Sequence, residues 1–259
     1  MTEPIDICIY THAIRETLAD CTAKIIRTMD RPFRLHVCCQ PGGVAQNWNR
    51  AQEIVESPRF VMMHDDAFPL VKDWLSKFEA ELDRDEKVAV VGGVELRSAR
   101  ALGTWRKEKQ EYVDRELGYE RVEARMIPGA ITLIDGRRAL SELWFDEECP
   151  GVSDGPEWDF YFRVNKSGYK VVATSAVPIW HPCHDNLETG RGITPELNGN
   201  GKITTSGSRW HGFDTFASRQ EDYAKSCEWL KAKWPQWELK GAGLKDEDGV
   251  FIEAQTVIL

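Results

Sequence analysis

No segment of this chain approaches the ~20 consecutive apolar residues that span a bilayer, and Met1-Thr2-Glu3-Pro4 carries neither the basic nor the apolar block of a secretory leader. The expectation is a cytoplasmic protein. An excess of positive charge is also missing: 33 lysines and arginines stand against 42 acids, a formal charge of -9. That disfavours broad electrostatic attachment to nucleic acid or anionic membrane. The cysteines (Cys8, Cys21, Cys38, Cys39, Cys149, Cys183 and Cys227) are odd in number and include no Cys-x-x-Cys pair. They therefore spell neither a disulfide framework nor a zinc ribbon, and most read as small core residues. Internal repeats and low-complexity tracts are absent. Apolar residues are plentiful, 42% of 259, enough for the core of one domain of moderate size. There are ten tryptophans, and any outside the core would offer flat faces to a ring-shaped ligand.

The first half alternates short β-type runs with amphipathic helical segments, the pattern of helices covering a mostly parallel sheet. Ile5 to Tyr10 reads as a buried opening strand. Ile14, Leu18, Cys21, Ile25 and Met29 then form one helical stripe, ended by Asp30-Arg31-Pro32. A second strand, Arg34 to Cys39, stops at Pro41-Gly42-Gly43. Trp48, Ala51 and Val55 mark a short helix, and a third strand, Phe60 to Met63, runs into His64-Asp65-Asp66. Val71, Trp74, Leu75, Phe78 and Leu82 give another helix, followed by a strand from Lys87 to Val94.

Residues 97 to 125 are charged and without clear period, which suits an exposed excursion. A strand at Ala130 to Ile134 precedes a short helix near Arg137 to Leu143. A further helix from Trp158 ends at Gly168, and two β-type pieces follow, Lys170 to Thr174 and Val177 to His181. Pro182 to Ser208 is polar and rich in Gly, Asn and Thr, too long for an ordinary connection and so functional or disordered. The capping box Ser218-Arg219-Gln220-Glu221 opens a last amphipathic helix closed by Pro235, and a short strand is expected at Val250 to Glu253.

In open α/β sheets the ligand lies beyond the carboxyl ends of the strands. Three polar clusters stand at such ends: Thr11-His12 with Arg15, His64-Asp65-Asp66, and His181-Pro182-Cys183-His184. The second would place hard oxygen ligands for Mg²⁺ or Mn²⁺ at the rim of a rigid strand; its plain alternative is a turn, which Asp also favours. The third holds three potential ligands in four residues but lacks a matching second pair for zinc. One imidazole joining the acidic triplet at a mixed nitrogen and oxygen site fits a strand end better, with Cys183 or His184 packed or supporting. Pro156-Glu157-Trp158-Asp159 opens a helix, where acids are ordinarily caps. With Asp154 nearby, the segment also offers carboxylates able to take a proton from a substrate hydroxyl.

In this order the clusters resemble the inverting glycosyltransferases of family 2. Asp6 to His12 is similar to that family's opening strand, Asn47-Trp48-Asn49-Arg50-Ala51 to its Asn-containing helix, and Phe60 to Asp66 to its metal-binding strand, with His64-Asp65-Asp66 in place of Asp-x-Asp. Gly129 to Ile134, Trp144-Phe145-Asp146-Glu147, Glu157 to Arg163, Gly168-Tyr169-Lys170 and Trp180-His181 resemble its second half.

The resemblance implies an α/β fold, a single GT-A (Rossmann-like) domain with a mostly parallel central sheet flanked by helices and a C-terminal helical extension. Residues 1–184 would bind the nucleotide sugar and carry catalysis. Residues 185–259 would form an acceptor-side loop, with Arg191, Lys202 and Arg209 near it, and a helix packed on the same domain. It further implies transfer of a hexosyl or pentosyl group, with inversion, from a nucleoside-diphosphate sugar, UDP by expectation, to an acceptor hydroxyl on a saccharide or small molecule. Glu157 takes the place of the base, with Asp154 and Asp159 as rivals. Mn²⁺ or Mg²⁺ would be held by Asp66, His181 and His64. Thr11, His12, Arg15, Gln40, Asn49 and Asp65 are the expected donor contacts.

The alternatives are a hydroxymethylated DNA base as acceptor, with Arg97 to Lys109 and Arg191 to Arg209 as local basic segments, or a non-catalytic sugar-binding module on the same fold. A nucleotidyltransferase would carry a glycine-rich loop after its first strand, and Thr11-His12-Ala13-Ile14-Arg15 has no glycine. A zinc hydrolase would hold its metal tightly instead of exchanging it.

Overall fold

The computed structural model describes residues 3–11, 16–39, 43–96, 121–127, 129–139, 143–151, 155–181, 192–197, 203–208, 216–235, 244–245, 251–252 and 257–258. Its first half runs β1 (Ile5–Thr11), α1 (Glu16–Thr28), β2 (Phe33–Cys39), α2 (Val44–Glu53), β3 (Arg59–His64), β4 (Phe68–Pro69), α3 (Trp74–Arg84) and β5 (Val88–Leu96). Then come β6 (Arg121–Met126), β7 (Ile131–Asp135), α4 (Pro156–Lys166), β8 (Lys170–Trp180), β9 (Gly192–Leu197), β10 (Ile203–Ser208) and α5 (Phe216–Lys233). Three two-residue strands follow: β11 (Leu244–Lys245), β12 (Phe251–Ile252) and β13 (Val257–Ile258).

Nine described strands make the central sheet, in the order β13-β6-β8-β5-β7-β3-β1-β2, with β4 paired to β8 off that path. Strands β1, β2, β3, β5, β8 and β13 point one way; β4, β6 and β7 point the other. The alternation of side chains along each strand sorts the core into two layers. Ile5, Ile7 and Ile9 of β1 face the layer built with Cys21 and Ile25 of α1 and Trp74, Phe78 and Leu82 of α3. Cys8 and Tyr10 face the other, with Trp48 of α2, Phe160 and Tyr161 of α4, and Leu230 of α5. Each large side chain so buried contributes about 1.5–3 kcal/mol.

Several sequence expectations need correction. The charged stretch expected to stay outside the sheet through residue 125 ends in β6, where Ala124 and Met126 are buried. Arg121-Val122-Glu123-Ala124-Arg125-Met126 alternates strictly, a period hidden by its charges. Lys170 to Trp180 is one strand, not two pieces: its register against β5 slips between Gly92 and Val94. A Cβ at Gly93 would lie 2.2 Å from the Val177 carbonyl oxygen, so the slip requires glycine there. Residues 136–139 form a turn in place of the expected helix start. Within the long polar segment, β9 and β10 pair as an antiparallel ribbon.

Two features aim the site. Strand β7 lies antiparallel between β3 and β5, so its start, not its end, meets the carboxyl ends of β1 and β3. The ladder closes with the His64 N–H donating to the Ala130 carbonyl at 2.9 Å. The turn after β3 leads into β4, which pairs antiparallel with the end of β8, Phe68 opposite Trp180 and Pro69 opposite Ile179. That register draws Asp66 towards His181.

Candidate functional site

At this rim three ligand atoms, one each from His64, Asp66 and His181, lie within 4.8 Å of one another. Nδ1 of His64 is 3.3 Å from Nε2 of His181, and the same Nε2 is 3.3 Å from Asp66 Oδ1. Two ligands bound side by side to one ion at ~2.1 Å stand about 3 Å apart, so the spacing and the donor chemistry fit a divalent cation. Asp66 and His181 are buried. Beneath the turn, the Cys21 thiol of α1 donates to the Ala67 carbonyl at 2.9 Å. Burial, with Asp65 nearby, pushes that thiol well up, so it serves as a small neutral support.

Glu157 completes the cluster. It sits in the first turn of α4, whose N-cap Gly155 has φ +111°, a left-handed conformation that favours glycine. A side chain at 155 would also press on Ser226 and Cys149. His64 Nε2 lies 2.8 Å from Glu157 Oε1, and the Tyr10 hydroxyl donates to that same oxygen at 2.5 Å. Oε2 accepts no hydrogen bond among the described residues and lies along Gly129, where a Cβ would come within 2.4 Å of it. The carboxylate is thus anchored by one oxygen and open at the other.

Burial disfavours a charged His64, yet the adjacent Glu157 outweighs it and holds the imidazole pKa above its ordinary value. Burial and the same carboxylate push the Tyr10 phenol well up, keeping it a proton donor. Tyr10 is itself fixed edge-on against Trp48 and His64, at centroid distances of 5.4 and 5.3 Å.

The structure thus gathers His64, Asp66, His181 and Glu157. Beside them it joins Thr11 to Asp65, whose Oδ2 accepts from the Thr11 hydroxyl at 2.9 Å. Asn49 stands elsewhere: its amide donates to the Phe145 carbonyl and to Glu147 and accepts from the Phe145 N–H, bracing α2 against the chain before α4. Asp159 is also apart. Two residues from Glu157 on a helix means a nearly opposite direction, and Asp159 accepts from Arg163, from the Trp234 indole at 2.8 Å and from Lys233 at 2.9 Å. His12, Arg15, Gln40 and Asp154 lie outside the described residues, as do Cys183, His184, Arg191, Lys202, Arg209 and the basic residues of 97–109.

Sequence reading passed over Tyr10, taken only as a strand residue, and Gly129. Their signals are faint: a phenol directly before the polar end of β1, and a glycine directly before β7.

No family model matches the sequence, and no curated protein matches it. In structure the chain is similar to the mannosyltransferase PcManGT from Pyrobaculum calidifontis, in complex with GDP-Man and Mn²⁺. The identity is 13% and the TM-score 0.51, over 70% of this chain and 57% of that one. GalNAc-T7, with UDP, GalNAc and Mn²⁺, matches at 9% identity and TM-score 0.49, over 69% of this chain and 42% of that one. The chain spans little more than half the length of the mannosyltransferase. The first likeness shows the fold: this chain has the GT-A fold, as the sequence resemblance implies, with the acid and imidazole cluster at the rim where its strands end. No helix among the described residues is long and apolar enough to cross a membrane.

Proposed function

We propose that the chain is a metal-dependent inverting glycosyltransferase that moves a sugar from a nucleoside-diphosphate sugar, with UDP as the nucleotide, to a hydroxyl of a saccharide or small molecule. The observation that carries this reading is the convergence of His64, Asp66, His181 and Glu157 from three distant parts of the chain on one rim of a GT-A sheet. A Mn²⁺ or Mg²⁺ held by Asp66, His181 and His64 would supply the positive charge that offsets the charge growing on a departing diphosphate. Glu157 is the base: Oε1 is fixed by Tyr10 and His64, and Oε2 takes the proton as the acceptor oxygen attacks the anomeric carbon. Asp65, held by Thr11, is the donor-binding acid. Asp159, tied to Arg163, Lys233 and Trp234, keeps α4 in place and leaves the base to Glu157.

The test is nucleoside-diphosphate release from a panel of UDP- and GDP-sugars with Mn²⁺, followed by NMR of the product's anomeric configuration. We expect metal-dependent release with one sugar, inversion in the product, and a Glu157→Gln protein that, at saturating Mn²⁺, binds the donor without turning it over. Donor binding with no turnover in the unaltered protein, with any acceptor, would make the chain a binding module. Retention in the product would remove Glu157 from its role.

A further inference from the structure

His64 stands between two groups. Its Nε2 faces Glu157 Oε1 at 2.8 Å, and its Nδ1 faces His181 Nε2 at 3.3 Å. A carboxylate only accepts, so Nε2 carries a proton and Nδ1 is the ring nitrogen that faces the other two ligand residues, its lone pair available to an ion that displaces any proton there. An imidazole that binds an ion is commonly oriented this way, by a carboxylate behind it. Tyr10 adds to the fixation, donating to the same Oε1 and packing edge-on against the His64 ring. Gly129 leaves the room in which the carboxylate lies.

We propose that Glu157, through Oε1, is the positioning residue for His64 in a two-imidazole, one-carboxylate metal centre that takes Co²⁺ or Mn²⁺ in preference to Mg²⁺. This rests on the metal-binding part of the function proposed above and is independent of sugar transfer. Mg²⁺ demands oxygen ligands and keeps its waters, whereas imidazole suits transition ions. Two imidazoles among three ligands, His64 and His181, therefore move the site's preference away from Mg²⁺. The two oxygens of Glu157 divide two duties, Oε1 orienting a ligand and Oε2 facing the acceptor, so metal affinity and proton acceptance are linked through one side chain.

The experiment is a titration of the tag-free 259-residue chain with Co²⁺, read by its visible absorption bands and repeated with Mg²⁺ as competitor. We expect one Co²⁺ site that a hundredfold excess of Mg²⁺ leaves mostly filled. Glu157→Gln and Glu157→Ala should weaken Co²⁺ binding by about 10–100-fold while the thermal melt stays cooperative. His64→Asp should weaken Co²⁺ and let Mg²⁺ compete. Unchanged Co²⁺ affinity in both Glu157 variants, or displacement by equimolar Mg²⁺, would overturn the proposal. Absence of any divalent-ion binding would overturn it together with the metal part of the proposed function. The expected Co²⁺ pattern, with no nucleotide sugar raising the melting temperature, would uphold the metal centre and reject the transferase.

Discussion

The two ends of the central sheet handle buried acids in opposite ways. Where β1 begins, Asp6 is fully buried and takes a bidentate pair of bonds from Arg34, at 2.6 and 2.9 Å, together with His36, the Glu56 and Ser57 N–H groups and the Ser57 hydroxyl. At the same end Asp135 accepts from Arg59 and Arg137. Where β1 stops, Asp65 accepts from the Thr11 hydroxyl, Asp66 stands beside the His181 imidazole, and Glu157 meets the His64 imidazole and the Tyr10 phenol. Acids of the first kind have fixed cations built into the chain and hold the fold. Those of the second kind stand among imidazoles and hydroxyls, groups that can turn with them around a bound ion. Burial marks both ends, so burial alone does not tell a site from a strut; the chemistry of the partners does.

This contrast yields expectations that separate stability from turnover. Largest at the ligand end, Asp66→Ala should lower nucleotide-sugar turnover by about a thousandfold, and Glu157→Gln by about 10²–10⁴-fold, both with near-normal melting temperatures. Gly129→Ala should come next: its methyl displaces only the flexible end of Glu157, so the protein folds, but a base moved by ~1 Å costs about 10²-fold in rate. Tyr10→Phe removes one bond to a charged oxygen and should cost about tenfold in kcat with donor KM unchanged.

At the opposite end Asp6→Ala leaves the Glu56 and Ser57 N–H groups without their acceptor and should lower stability by about 3 kcal/mol. That is roughly 6–12 °C in melting temperature, read by calorimetry. Turnover below the melt should be unaltered.

The smallest effect is the pH dependence. Burial works to raise the Asp6 pKa, but Arg34, His36 and Ser57 outweigh it and hold the carboxyl well below the usual range; at Asp135 burial is likewise outweighed by Arg137 and Arg59, and the pKa is lowered. A depressed folded pKa gives stability that is present above the unfolded pKa of about 3.9 and lost as pH falls towards the folded one. Melts of the unaltered protein and Asp6→Asn should therefore differ most at neutral pH and converge as the pH falls below about 4.

Much of this was legible in the amino-acid order. The apolar run Phe60 to Met63 ending in His64-Asp65-Asp66 marked β3 and its rim, and the stripe Trp74, Leu75, Phe78 and Leu82 marked α3, because burial on one face writes a period into the sequence. Site geometry was less legible where it depends on direction. The two-residue strand β4, which brings Asp66 to His181, is too short to carry a pattern, and the antiparallel insertion of β7 leaves no trace in residue types. Tyr10 and Glu157 are 147 residues apart and meet only because β1 and α4 pack in one layer. Glu157 and Asp159 look equivalent as letters; the helical turn of about 100° per residue sends one to the rim and the other to α5.

The most direct measurement is the melting temperature of the unaltered protein and of Asp66→Ala, each with a nucleoside diphosphate, with and without Mn²⁺. At a ligand concentration near 100 times Kd the unaltered protein should gain about 2.7 kcal/mol, roughly 5–10 °C, only when both ligands are present, and Asp66→Ala should gain nothing. An equal gain in Asp66→Ala, or no gain in the unaltered protein with any nucleoside diphosphate and Mn²⁺ together, would contradict a metal-assisted nucleotide site at this rim.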